Sequence, residues 1–166
     1  MATQTVRPLE VAYEPLYQWD GLEAAASTFK LGAVLVYDSS GRLTEASNNS
    51  GVPVVGIATK AGSNTAASGT TYGTCTFVPF LSGTIIEGNL VYGAAGSATL
   101  ITASHVGLKV GIVKRTAEAD TPWAFDLSDV ARASAHFLII GVRDASADVN
   151  ARVWAICLAS HARFSA

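Results

Sequence analysis

From Leu31 onward, apolar and β-branched residues occur in short runs that are separated by glycine and small polar residues. Residues 33–37 form the first run, residues 38–41 resemble a four-residue turn, and residues 42–46 resume the apolar pattern. Asp38 at the start and Gly41 at the end are typical of such a turn. The pattern therefore predicts a β-hairpin over residues 33–46.

The same pattern continues to the end of the chain. It predicts further strands at residues 52–58, 74–80, 84–86, 90–92, 99–102, 108–114, 137–142 and 152–159, the last two forming a closing hairpin. Glycines such as Gly88 are interpreted as tight turns between strands. Residues 61–73 are predicted to be a surface loop, residues 115–129 a looser stretch, and residues 129–135 a helical turn capped by Ser128. Short strands without a long helical period predict an all-β fold, either a small β-barrel or a β-sandwich.

The first 30 residues differ from the rest. Pro8 and Pro15 disfavour a regular helix or a central strand, yet the segment is too aromatic for a disordered tail. We expect an extended N-terminal arm over residues 1–30, with one or two helical turns at 21–28, followed by a β domain over residues 31–166. The arm packs either on its own domain as an edge strand or on a neighbouring subunit. The hypothesised contact residues are Leu9, Tyr13, Leu16, Tyr17 and Trp19.

Composition narrows the functional classes. Hydrophobic residues make up 49% of the chain and charged residues 14%, against about 25% charged residues in a typical soluble domain. The longest apolar run, residues 136–142, is too short for a spanning helix of about 20 residues, and residues 1–9 lack the pattern of a signal peptide. We therefore expect no membrane association and predict burial against partners, including self-association as a dimer or trimer. The net charge of −2 argues against nucleic-acid binding.

No arrangement of residues indicates catalysis or metal binding. The three histidines, His105, His136 and His161, lack paired spacing, and there is no nucleophile elbow, Cys-x-x-Cys or His-Glu-x-x-His motif. We therefore expect a non-enzymatic protein without metal or cofactor. Cys75 and Cys157 lie in apolar runs and are predicted to be buried free thiols.

Several segments resemble a known family. Residues 32–44 (GAVLVYDSSGRLT) and 54–58 (VVGIA) are similar to the head decoration (cement) proteins of tailed bacteriophages, the lambda-type decoration family. Residues 108–113, 137–142 and 150–153 extend the likeness into the second half. The resemblance implies a structural virion protein on the capsid surface, assembled in the bacterial cytoplasm. Its partners would be the major capsid protein and further copies of itself, as trimers on threefold positions or dimers on twofold positions.

Two other functions fit the same pattern. One is another phage structural module, such as a head-fibre base or a tail component. The other is a carbohydrate-binding β-sandwich, which would need an exposed aromatic platform. Among the tryptophans, Trp19 is a candidate, Trp123 is predicted to be exposed in a loop, and Trp154 is predicted to be buried in an apolar strand.

Overall fold

A computed structural model describes residues 5–12, 17–48, 51–64, 73–94, 100–116, 122–130, 135–144 and 148–158. These residues form thirteen short β-strands and two 3₁₀ helices, Ala103–His105 and Leu127–Asp129, and they contain no α-helix. The predicted all-β class is confirmed, and one of the sheets closes into a barrel.

The first eight strands come from the N-terminal half of the chain. They are β1 (Glu10–Val11), β2 (Trp19–Leu22), β3 (Ser27–Phe29), β4 (Val34–Tyr37), β5 (Leu43–Glu45), β6 (Gly56–Ala58), β7 (Gly62–Asn64) and β8 (Thr74–Pro79). Five of them form what we call the N-terminal sheet, in the order β2-β8-β6-β4-β5, while β3 pairs with β7. The predicted hairpin is confirmed as β4 and β5, with Gly41 at φ 73° and Asp38 accepting backbone hydrogen bonds in the turn.

Five strands form the second unit. They are β9 (Ile85–Val91), β10 (Lys109–Lys114), β11 (Trp123–Asp126), β12 (Phe137–Val142) and β13 (Arg152–Cys157). Their order is β9-β11-β10-β12-β13, and β13 pairs again with β9, so the sheet closes into a five-stranded barrel. The predicted closing hairpin is confirmed as β12 and β13, with a bulge between Ile139 and Gly141.

The N-terminal segment is extended, and its described part packs on the rest of the chain. β1 pairs antiparallel with β9 of the barrel, and β2 pairs with β8 of the N-terminal sheet. The helical turn predicted for residues 21–28 is wrong, because β2 and β3 take up its two ends and a turn joins them. In β3, Ser27 and Phe29 are buried, Thr28 is exposed, and the backbone groups pair with β7.

A single hydrophobic cluster joins both units. It includes Leu35, Val55 and Phe77 from the N-terminal sheet together with Phe125 and Phe137 from the barrel. Phe80, which follows β8 directly, contacts Phe137 edge to face with ring centroids 5.5 Å apart. The two units therefore share one core.

Several local predictions are wrong, including the surface loop predicted for residues 61–73, where Gly62–Asn64 form β7. Gly88 is not a turn but lies in the middle of β9, where the two strands predicted at 84–86 and 90–92 are one. Trp123 and Phe125 lie in β11 rather than in a loop. The short helix begins at Leu127, and its cap is Asp126, whose Oδ1 accepts hydrogen bonds from the backbone and hydroxyl of Ser128. The helical turn predicted for residues 129–135 falls mostly outside the described residues.

Candidate functional site

The five residues hypothesised as contacts do not form one surface. Leu9 is 1% exposed and belongs to the chain's own core, so it cannot anchor an external partner in this fold. Tyr17 and Trp19 are 63% and 40% exposed, and both remain candidates. Tyr13 and Leu16 lie outside the described residues.

Leu9 is buried because a glycine leaves room for it. A Cβ atom on Gly88 would collide with Cδ2 of Leu9 and would lie 3.1 Å from the ring of Phe125. Since Glu10 pairs with Glu87 on the neighbouring strand, Leu9 points to the inner side of the barrel wall. This explains why a glycine occupies the middle of β9.

Charged side chains on the outer side of the barrel hold β1 against β9. The guanidinium group of Arg152, which is 7% exposed, lies 3.2 Å from a carboxylate oxygen of Glu10 and 3.0 Å from one of Glu87. Arg143 also contacts Glu87, at 3.1 Å. The largely buried Arg152 bridges two carboxylates on adjacent strands and so fixes β1 next to β9.

An apolar groove lies between this segment and the N-terminal sheet. Its volume is about 290 Å³, and it is lined by Pro8, Leu9, Glu10, Val11, Leu31, Gly32, Ile57, Ala58, Thr59 and Val78. Leu31 is 62% exposed. We call this groove, with the exposed Leu31 in its lining, the groove surface; Tyr17 and Trp19 are not among its lining residues.

A second exposed apolar surface lies on the outer side of the barrel. It comprises Ile85 on β9, Leu138 and Ile140 on β12, and Trp154 and Ile156 on β13, and we call it the barrel face. Ile140 is 40% exposed and Trp154 is 37% exposed. The indole of Trp154 lies over Gly141 and donates a hydrogen bond from Nε1 to Glu87 at 3.1 Å.

The exposures predicted for two tryptophans are reversed. Trp123 is 2% exposed, and its Nε1 donates to Glu45 at 2.9 Å, while the other carboxylate oxygen of Glu45 contacts Lys114 at 2.7 Å. These contacts join β5 of the N-terminal sheet to β10 and β11 of the barrel. Trp123 therefore cannot serve as a sugar platform, and Trp154 has the exposure that such a platform needs.

Sequence reasoning did not identify Trp154 or Leu31 as surface residues. For Trp154, the available signal was the alternation of β13, where Val153, Ala155 and Cys157 are buried and the residues between them, Trp154 and Ile156, are not. Residues 153–158 are all apolar, so the sequence does not show which positions of this strand face outward. Leu31 precedes a glycine with φ 79°, a local sign of a turn at the surface.

Among the described residues, no cluster of three or more His, Cys, Asp or Glu is able to hold a metal ion. Cys75 and Cys157 are buried free thiols, as predicted, and burial raises the pKa of Cys75 to about 11 and that of Cys157 to about 12. Both thiols are therefore protonated, poor nucleophiles near neutral pH.

None of the described helices has the length and apolar character needed to cross a membrane. In comparisons with known proteins, no protein-family model, no curated protein and no solved structure matches the chain. The surfaces described above are therefore the basis for a functional proposal, together with the family resemblance of residues 32–44 and 54–58.

Proposed function

We propose that this protein is a structural protein of a tailed-bacteriophage virion, which binds the outside of the capsid and stabilises contacts between major capsid protein subunits. The observation that carries the proposal is the groove surface, an apolar groove whose lining includes the strongly exposed Leu31. An apolar centre of this kind is typical of a protein interface. Tyr17 of the N-terminal segment, which is 63% exposed, is proposed as a second anchor.

The low charge of the chain supports the same function. A decoration protein binds through shape complementarity and apolar contacts and needs no catalytic site. Charged residues are depleted from the centres of protein interfaces. With 14% charged residues, the chain has few side chains that would oppose burial. The N-terminal segment is held to the barrel by Leu9 and by the Glu10–Arg152 ion pair, so little ordering is lost when a partner docks beside it.

Co-sedimentation tests the proposal. The purified chain is mixed with expanded heads assembled from the major capsid protein encoded in the same genome. We expect saturable binding, and we expect the double substitution Tyr17→Asp with Leu31→Asp to weaken it by about 100-fold, because each anchor contributes about 1–2 kcal/mol. Tyr92→Asp is the matched control, since Tyr92 is 53% exposed but directly follows β9 and is not part of the groove surface.

Two results would contradict the proposal. The first is an unchanged affinity for the double variant, which would place the contact elsewhere. The second is the absence of binding by the wild-type chain to heads that bind another decoration protein in the same assay. Circular dichroism of each variant checks that the β fold is retained.

A further inference from the structure

Trp154 presents a flat aromatic surface on the outer side of the barrel. It lies on β13, opposite Gly141 of β12 and Glu87 of β9. Because Gly141 has no side chain, the six-membered ring of the indole covers its backbone, and a Cβ atom there would lie 3.1 Å from Cε3 and 3.8 Å from Cζ3 of Trp154. The other side of the ring faces solvent, and the residue is 37% exposed.

A hydrogen bond at its polar edge fixes the position of the ring. Nε1 of Trp154 donates to Oε2 of Glu87 at 3.1 Å, while Oε1 of Glu87 contacts Arg143 at 3.1 Å and Arg152 at 3.0 Å. Both carboxylate oxygens of Glu87 are therefore engaged, so Glu87 positions the indole and does not itself bind a ligand. A ring held at one edge and on one side loses little conformational entropy when a ligand stacks on its free side.

Arg143 supplies hydrogen-bond donors beside the ring. It follows Gly141 by two residues and its backbone continues the ladder to Arg152, so it lies on the same side of β12 as Gly141. Its side chain is 45% exposed, and its contact with Glu87 uses Nη1. A guanidinium group also carries N–H donors at Nε and Nη2, and these are the groups that a ligand stacked on Trp154 can reach.

The charges near the ring balance. Arg152 also contacts Glu10 at 3.2 Å, so two guanidinium groups are paired with the carboxylates of Glu10 and Glu87. Asp144, which accepts the backbone N–H of Arg152 at 2.8 Å, adds a carboxylate, and Lys109 on the neighbouring strand β10 adds a cation. Because these described groups leave no net positive charge, the site does not favour an anion. It suits a neutral ligand with an apolar side and a polar rim.

We propose that Trp154 and Arg143 form a binding site for a neutral pyranose unit of an oligosaccharide. The C–H groups on one side of the sugar stack on the free side of the indole, and hydroxyl oxygens at its rim accept hydrogen bonds from Arg143. Because the site is a flat surface and not a cleft, little of the ligand is buried, and we expect a dissociation constant of about 1 mM. The proposal does not rest on capsid binding, because it uses residues outside the groove surface.

Saturation-transfer difference NMR tests the site on the full chain without any capsid. The neutral probes are maltohexaose, cellohexaose and N-acetylchitohexaose, and the acidic probe is a galacturonic acid oligomer. The wild type should transfer saturation to the ring protons of at least one neutral probe. Trp154→Ala should raise the dissociation constant at least about tenfold and Arg143→Met about three- to tenfold. Trp19→Ala is the matched control, since Trp19 is 40% exposed but lies in β2 of the N-terminal sheet, and it should leave binding unchanged.

Salt separates a neutral-sugar site from an anion site. Raising the sodium chloride concentration from about 20 mM to about 500 mM should leave the affinity for the neutral probe unchanged, because neither stacking nor hydrogen bonds to neutral hydroxyls are screened. A wild type that transfers saturation to none of the neutral probes overturns the inference, as does binding that survives Trp154→Ala or is lost in Trp19→Ala. Binding confined to the acidic probe and lost at high salt also overturns it. Circular dichroism checks that each variant retains the β fold.

Discussion

The barrel and the N-terminal sheet each contain five strands, but they close in different ways. The barrel closes through a continuous ladder in which five residues of β13 pair with five residues of β9. The two ends of the N-terminal sheet meet through a single parallel bridge between Glu23 and Leu43. A ladder of backbone hydrogen bonds therefore completes the barrel, whereas the N-terminal sheet closes at one bridge, and a side chain holds the strand end beside that bridge.

That side chain is the carboxylate of Glu23, which is 2% exposed. Its Oε2 accepts hydrogen bonds from the backbone N–H groups of Ser63 and Asn64 at 3.1 and 2.8 Å, and the Asn64 side chain donates to the carbonyl of Ala24 at 3.0 Å. These bonds tie the end of β2 to β7. A buried, hydrogen-bonded carboxylate therefore holds the end of β2 on β7, a strand outside the N-terminal sheet, beside the single bridge to β5.

The largest expected effect comes from removing a large buried side chain of the barrel from the shared core. Phe137→Ala should lower the free energy of unfolding by about 3–5 kcal/mol, because Phe137 is fully buried and packs edge to face on Phe80 and Phe125. Urea denaturation followed by circular dichroism measures the loss, with Tyr92→Ala as the exposed aromatic control, expected within about 0.5 kcal/mol.

Because both units contribute to one core, wild type and Phe137→Ala should each unfold in a single transition. Two separated transitions, with only the later one shifted by the substitution, would show that barrel and sheet are independent folding units. In that case the barrel and the N-terminal sheet would each be stabilised by a core of its own.

Removal of the Glu23 carboxylate should have the next largest effect. Glu23→Ala leaves two buried N–H groups without their acceptor, so we expect a loss of about 3 kcal/mol, measured by the same denaturation. Glu23→Gln retains one carbonyl oxygen as an acceptor and should cost less, about 1 kcal/mol. Equal losses for both variants would show that charge, rather than hydrogen bonding, is the decisive property. A negligible loss for Glu23→Ala would mean that the carboxylate does not hold the end of β2 on β7.

The smallest effect compares one cysteine from each unit. Burial raises the pKa of Cys75 in the sheet from 9.0 to about 11 and that of Cys157 in the barrel from 9.0 to about 12. Since the folded-state values exceed the unfolded value, the thiols contribute stability that is complete below pH 9 and is lost as the pH rises through 11 and 12. Unfolding free energies should therefore decline above pH 9, and less so in the double variant Cys75→Ala with Cys157→Ala.

Thiol labelling gives an independent measurement of the same comparison. At pH 8 both cysteines should react slowly with a thiol reagent in the native protein and rapidly in denaturant. As the pH is raised, Cys75 should react before Cys157. Rapid labelling of Cys157 at pH 8 without denaturant would show that the barrel opens more readily than the sheet.

The sequence alone predicted the fold class and several local elements. The hairpin at β4 and β5 follows from a turn with Asp38 and Gly41 between two apolar runs, and the closing hairpin of β12 and β13 follows from two β-branched stretches. The burial of both cysteines follows from their positions in strand-like runs. Each of these features depends on residues near in sequence, so that local pattern is sufficient to predict it.

Tertiary structure alone decided which surfaces are exposed. Trp123 is buried because Glu45, distant in sequence, accepts its Nε1 hydrogen, and Trp154 is exposed because its apolar strand turns one side outward. Gly88 lies within a strand because Leu9 occupies the space of its missing side chain. Alternation states which residues share a side of a strand, but when both sides are apolar only the packing of distant segments determines which side faces the core.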